Sequence, residues 1–316
     1  MPEKDYAMKN LIAIASALLL SASFAAAQDA QTTAGKDLLE ADTAAVYHYT
    51  FAEVNFPGDT FTQLLGINSN NVIAGYHGSG LDPANPNKGF TYTATGSFVP
   101  QNYPGSTQTQ VIGINDAGGT AGFWVDAKGN NYGFYQVNGR FYNVVYPGTA
   151  FNQLLGFNND NIATGFSQDS KGNFHPYSVN LSPVWTSYLL PGTQSAQATG
   201  TSNSGAVVGF FVDSKGATHG FQYINGNFHQ LDYPGATSTQ CFGTNDNNWI
   251  VGSYIDASGN THGFLRVAPT YISIDDPNGV GTTIVNGINN AGTIVGFWGN
   301  TAAGISHGFK ATVVVN

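Results

Sequence analysis

From residue 51 to the C-terminus, apolar residues come in short alternating runs broken by Gly, Pro, Asn and Asp, and no stretch keeps the period of an amphipathic helix. The pattern predicts many short strands joined by tight turns. It also repeats: six copies of one unit lie near residues 51–97, 98–140, 141–183, 184–227, 228–270 and 271–316. A Pro-Gly step opens each copy at Pro57, Pro104, Pro147, Pro191 and Pro234, degraded to Pro277-Asn278 in the last, with spacings of 47, 43, 44, 43 and 43 residues. Two glycines nine residues apart never vary: Gly66/Gly75, Gly113/Gly122, Gly156/Gly165, Gly200/Gly209, Gly243/Gly252 and Gly287/Gly296. A His-Gly-Phe triplet follows at His219, His262 and His307, with Lys88-Gly89-Phe90, Tyr132-Gly133-Phe134 and His175-Pro176-Tyr177 in the other copies.

A unit of this length made of short strands is a propeller blade in sequence, and stacking blades buries a core that one unit cannot bury alone. The turns agree with four strands per unit. Asp126 to Gly129 and its repeats place Asp first and Gly fourth, the type I preference. Asn138-Gly139 and Asn225-Gly226 are hairpin turns that need positive φ twice. The chain enters the repeats with a fourth-type strand, Phe51 to Phe56, and leaves with a third-type strand, Phe309 to Val315. Ring closure then requires the N-terminal strand to complete the last blade, which removes open sheet edges. The expected fold is all-β: a six-bladed β-propeller of four-stranded blades over residues 50–316.

The first 27 residues read as a signal peptide: Lys4 and Lys9, an apolar run from Leu11 to Phe24, and Ala25-Ala26-Ala27 at the cleavage site. The run is too short for a membrane span, so a soluble, secreted or periplasmic chain is expected, with residues 28–49 a flexible lead-in. Its net charge of −9 with 9% charged residues argues against nucleic acid and anionic membranes as partners. A monomer is expected. Cys241 is the only cysteine, and its column (Leu64, Val111, Leu154, Ala198, Val285) is apolar, so it is expected to pack as a small buried hydrophobe.

Repetition also filters candidate chemistry. His175, His219, His262 and His307 share one outer position in successive blades and cannot converge on one metal ion, whose bonds are about 2 Å long. Hydrogen bonds to Asp169, Asp213 and Asp256 are the simpler expectation for the first three. The glycines imply positive φ or a close approach between blades. Asn68, Asn115, Asn158, Asn245 and Asn289, with Ser202 in the remaining copy, suit side chains that bond their own turns. No catalytic residue, metal site or cofactor is assigned, and Arg140 and Arg266 are too few for a repeated arginine-based sugar site.

Two features survive as ligand-binding candidates. Six residues after each Pro landmark stand Gln63, Gln110, Gln153, Gln197 and Gln240, with Thr283 in the sixth blade, and an innermost strand would bring these amides to the central channel. The other is the break in symmetry in the first copy, the insertion from Ser79 to Asn87, which carries Asp82, Asn85 and Asn87.

The unit Gly-Ile-Asn … Ile-Val-Gly-Phe … Asp-x-x-Gly-x-x-His-Gly-Phe … Asp-Tyr-Pro-Gly resembles the HAF-repeat family of predicted extracellular bacterial proteins over residues 50 to 316. That resemblance implies export and a bacterial source, and brings no established activity or catalytic residues. Two functions follow: a binding or interaction scaffold for carbohydrate or a cell-surface partner, or a hydrolase or lactonase-like enzyme with an axial site.

Overall fold

The computed structural model describes residues 47–315; the expected signal peptide and most of the expected lead-in lie outside the described residues. Six four-stranded antiparallel sheets are present, five built from consecutive strands and the sixth in the order Thr283–Ile288, Ile294–Trp298, His307–Val315, Tyr47–Glu53 with the N-terminal strand outermost. The six-bladed propeller with its N-terminal clasp is therefore the fold. The clasp lies earlier than the sequence suggested: Tyr47 pairs with Val315 and Glu53 with Phe309, and the ladder stops before Phe56. The Pro57-Gly58 turn causes this, since Asp59 N–H already donates to the Phe56 carbonyl (3.2 Å). Residues 47–49 thus belong to the sheet and not to a lead-in.

The innermost strands, such as Gln108–Ile114, run through the first invariant glycine. Each carries a β-bulge at the residue before that glycine: Leu65, Ile112, Leu155, Thr199, Phe242 and Asn286 are left without a cross-strand partner. A bulge bends its strand and re-aims side chains, here around the axis.

The invariant glycines and the triplet aromatics are one packing device. Gly75, Gly122, Gly165, Gly209, Gly252 and Gly296 pair directly with Phe90, Phe134, Tyr177, Phe221, Phe264 and Phe309 on the third strands. All six aromatics are 0% exposed, each worth about 2–3 kcal/mol of burial. A Cβ on Gly209 would meet both the Phe221 ring and the carbonyl of Gln197. The first glycines serve blade-to-blade contact: Gly287 abuts the Leu65 carbonyl and Gly66 Cα, closing the circle. None of these twelve has positive φ, so close approach is the operative reason. Positive φ falls instead on the turns, including Asn138 (52°) and Gly139 (78°). Cys241 is fully buried, and burial pushes its thiol up to about 12.

Candidate functional site

Because each sheet meanders, two faces of the ring differ. The Gly-x-Asn turns after the first strands and the Asn-Gly hairpins form one face. The Pro-Gly steps and the turns between second and third strands form the other. A cavity of about 130 Å³ runs along the axis, and its lining includes Gln63, Gln110, Gln153 and Gln197 with the bulged Leu65, Ile112, Leu155, Thr199, Phe242 and Asn286. A smaller chamber of about 60 Å³ adjoins it on the Asn-turn face, and Ile67, Ile114, Phe157, Thr201, Thr244 and Ile288 line both.

The wall is amphipathic around the ring. Of the lining residues, Leu65 and Tyr76 from the first blade, Phe210 from the fourth and Phe242 from the fifth join one apolar cluster, which also holds Ile284 and Phe297 of the sixth, outside the lining. The amides of Gln110, Gln153 and Gln197 occupy the intervening arc of the second to fourth blades. Gln63 is held in place because Tyr76 O–H donates to its Oε1 (2.6 Å), and burial pushes that phenol well above its ordinary range. Gln153 Nε2 donates to Asn131 Oδ1 (3.2 Å). Gln110 Oε1, Gln197 Oε1, Thr244 Oγ1 and Asn286 Oδ1 are buried oxygens with no partner in the protein, and all four residues line the cavity. Leaving such a group unpaired costs about 1–3 kcal/mol, which marks the cavity as a place for hydrogen-bond donors from outside the chain.

On the Asn-turn face the cavity opens through a belt of hydrogen bonds. The asparagines do bond their own turns, as Asn68 Oδ1 accepts from Asn70 N–H (3.0 Å) and Val72 N–H (2.9 Å). They also reach the next blade: Asn68 Nδ2 donates to Asn115 O, Asn115 to Asn158 O, Asn158 to Ser202 O, Asn245 to Asn289 O, and Asn289 back to Asn68 O. The following residues form an outer course: Ser69 N–H donates to Asp116 Oδ1, Asp116 N–H to Asn159 Oδ1, Asn159 N–H to Asn203 Oδ1, and Asn203 N–H to Asp246 Oδ1. Two carboxylates, Asp116 and Asp246, therefore flank the mouth from the second and fifth blades, on opposite sides of the ring. Burial opposes ionisation of Asp246, but the amides of Asn290 and Asn203 outweigh it and hold the carboxyl below its usual range.

The structure separates the residues singled out from sequence. Gln63, Gln110, Gln153 and Gln197 share the cavity, whereas Gln240 is not part of its lining. Its cross-strand neighbour is Ser253, where the other blades carry Tyr76, Phe123, Phe166, Phe210 and Phe297. Nor is Thr283 the sixth member of the column. One extra residue after Pro277 shifts the register, so Ile284 pairs with Phe297 as Gln63 pairs with Tyr76. Thr283 instead accepts Asp276 N–H, as Thr62, Thr109 and Thr239 accept Phe56, Tyr103 and Tyr233 N–H.

The first-copy insertion lies on the Pro-Gly face, away from the belt. Asp82 Oδ1 accepts Ala84 N–H (2.8 Å) within the loop, and Asn87 O accepts Thr109 N–H (3.0 Å) from the second blade. Asn85 Nδ2 reaches Asp59 Oδ1 (3.3 Å), whose other oxygen pairs with His77 Nδ1 (2.9 Å). His77 stacks on Phe56 at 3.6 Å. Sequence reasoning missed this pair, although His77 fills a column of aromatics (Trp124, Phe211, Tyr254, Trp298) and Asp59 is the one acidic residue two past a Pro landmark. The bulge residues were also missed; their signal is a column that varies beside an invariant glycine.

The outer histidines lie beside the expected aspartates, and two of them, His219 and His262, gain a second acidic partner. His175, His219 and His262 approach Asp169, Asp213 and Asp256 at 3.0, 3.7 and 3.3 Å. Asp232, Asp275 and Glu53 hold Nδ1 of His219, His262 and His307 at 2.8, 2.9 and 2.9 Å. Arg140 and Arg266 lie over Tyr142 and Tyr271 on the outer strands, away from the axis. Among the described residues no cluster of His, Cys, Asp and Glu could hold a metal ion, and no helix is long and apolar enough to cross a membrane.

No protein-family model matches the sequence, and no curated protein matches it. Solved structures share its fold. A TolB candidate from Agrobacterium tumefaciens aligns at 11% identity with TM-score 0.58, covering 86% of this chain and 99% of its own. The SapL1 lectin in complex with alpha methyl fucoside aligns at 11% identity with TM-score 0.53, covering 82% of this chain and 96% of its own. The Aleuria aurantia lectin in complex with Fucalpha1-6GlcNAc aligns at 11% identity with TM-score 0.51, covering 81% and 95%. The chain is thus a six-bladed β-propeller with the architecture of the lectin and TolB rings.

Proposed function

We propose that this protein is an exported binding propeller, secreted or periplasmic, that takes a carbohydrate in its axial cavity. One observation carries the reading: Gln110, Gln197, Thr244 and Asn286 line the cavity and carry buried oxygens with no partner in the protein, beside apolar wall residues such as Leu65, Phe210 and Phe242. A sugar offers hydroxyl donors on its rim and an apolar C–H face, the complement of that wall. The signal-like N-terminus and the HAF-type repeat support export. The lectin rings of the same architecture support a carbohydrate as ligand, although fold likeness alone does not choose a function.

A lactonase-like or hydrolytic reading needs an acid and a base that converge on the axis. The carboxylates nearest the channel are Asp116 and Asp246, and both are engaged in the belt. Every side chain lining the main cavity is an amide, a hydroxyl or apolar, which favours binding over proton transfer. The test is a glycan array followed by titration calorimetry with Gln110→Leu/Gln197→Leu as the control. Binding by the native ring that falls at least about tenfold in the double variant supports the reading, because each lost hydrogen bond contributes roughly 1 kcal/mol. Equal binding by both proteins places the ligand elsewhere and overturns it.

A further inference from the structure

The cavity also carries information about the charge of its ligand. Resting on the axial reading above, we propose that the site selects a neutral, single-ring sugar or polyol and rejects its anionic counterpart, with Asp116 and Asp246 as specificity-determining residues at the mouth.

Three observations support this. The unpartnered atoms in the cavity are all oxygens: Gln110 Oε1, Gln197 Oε1 and Asn286 Oδ1 are amide carbonyls that only accept, and Thr244 Oγ1 is a hydroxyl. Gln110, Gln197 and Thr244 are 2%, 4% and 8% exposed, so bulk water at the outer surface does not serve them. A ligand hydroxyl donates to such oxygens, whereas a carboxylate has no proton to offer the three amide carbonyls. Next, the lining holds no Lys, Arg or His to neutralise a buried anion, and taking an unpaired charge out of water is far costlier than taking a hydroxyl. Finally, the opening on the Asn-turn face carries two carboxylates at opposite sides of the ring, and the second is held as an anion by Asn203 and Asn290. Like charges brought together in a restricted opening oppose each other both on the way in and once bound.

Size fixes the single ring. The main cavity measures about 130 Å³, and the smaller chamber that adjoins it on the Asn-turn face about 60 Å³. Four unpartnered oxygens match the several hydroxyls of one ring, and an elongated chain would have to pass the belt.

Neutral hexoses, pentoses and polyols are compared with the matching uronic acids by calorimetry at neutral pH, for the native protein and for Asp116→Asn/Asp246→Asn. The substitution suits the fold, because Asn159, Asn203 and Asn290 already occupy equivalent positions in other blades, and a melting curve checks it. The neutral sugar is expected to bind at least about tenfold more tightly than its uronate, as like-charge contacts and unpaired buried anions each cost several kcal/mol. The double variant should narrow that ratio by about two- to threefold, and added salt should narrow it in the native protein and not in the variant. A uronate that binds as tightly as its neutral partner overturns the charge selection while leaving the axial carbohydrate site standing. A ratio unmoved by both the variant and salt removes the role of Asp116 and Asp246. Binding of no sugar of either kind overturns both the selection and the carbohydrate reading.

Discussion

The glutamine layer lies on the six innermost strands and the asparagine belt in the turns that follow them, five residues or roughly 16 Å further on, and the two use the repeat in opposite ways. In the belt, five of six positions keep Asn, and each links its own turn to the next blade's carbonyl. In the layer, four amides line the cavity, Gln240 does not, and Ile284 replaces the sixth, while the adjoining bulge column runs from Leu to Thr, Phe and Asn. A ring needs identical joints to close, so the belt cannot vary much. A cavity wall gains a distinct front and back only when its positions differ. Symmetry kept therefore marks construction, and symmetry broken marks the surface available for recognition.

Both regions depend on closure, so the largest expected effect comes from the clasp. Deleting residues 47–53 removes the outer strand of the last blade, opens the edge of His307–Val315, and strips Tyr49 and Phe51 from their hydrophobic cluster. The loss should exceed about 5 kcal/mol, enough to unfold many domains of this kind. Calorimetry should then show no single cooperative melt, and size-exclusion chromatography should show association. A monomeric variant with an unchanged melt would refute the role of the clasp.

The next pair sets belt against layer. Asn289→Ala removes the acceptor for Ala291 N–H and Thr293 N–H and the donor to Asn68 O, which joins the last blade to the first. At about 1 kcal/mol per bond, the loss should be roughly 3 kcal/mol in urea denaturation. Gln110→Leu removes a carbonyl that has no partner, so its stability should change by less than about 1 kcal/mol and could rise. Equal losses from the two substitutions would erase the distinction between joint and wall.

A smaller effect comes from the belt's weak link. Ser202 Oγ approaches Ser204 Oγ and accepts Ala206 N–H, so the shorter side chain serves its own loop. Ser202→Asn supplies the amide that other blades use to reach the neighbouring carbonyl. A gain of about 1 kcal/mol is expected, read as a raised denaturation midpoint with unchanged slope. A destabilised variant would mean that the fourth and fifth blades are spaced differently from the rest.

Much of this was legible because six copies average out noise. The propeller, the clasp, the buried Cys241 and the Asp–His pairs follow from aligned columns and strand counting. What stayed hidden depends on register or on contacts across copies. One residue added after Pro277 moved Ile284 into the glutamine column, and counting from a landmark cannot see that shift. The bulges at Leu65 and its equivalents leave no signature in alternation, because the extra residue resembles an ordinary strand position. The second role of the asparagines spans adjacent blades, up to 221 residues apart for Asn289 and Asn68, and no local turn rule contains it. Asp59 and His77 also lie in different elements, and only the fold brings them together.

The smallest effect concerns the outer rim, where the repeat has built charge instead of a joint. His262 lies between Asp275 on Nδ1 (2.9 Å) and Asp256 on Nε2 (3.3 Å), stacked against Tyr254 at 5.1 Å. Burial alone would lower the imidazole's pKa, but the two carboxylates outweigh it and raise it above the ordinary 6.5. Asp256 moves the other way, down to about 2, because hydrogen bonds from Asn260 and His262 outweigh its desolvation. A raised histidine contributes stability that is complete below its unfolded value near 6.5 and disappears as pH rises through the folded value. A lowered aspartate contributes above its ordinary 3.8 and loses that contribution as pH falls toward about 2. The rim is therefore strongest between about pH 4 and 6.5. Partial exposure limits the effect to under about 1 kcal/mol. The melting temperature should fall slightly from pH 6 to 8.5, and His262→Asn should flatten that part of the slope. If the slope is the same in the His262→Asn variant, His262 is not the source of the pH dependence.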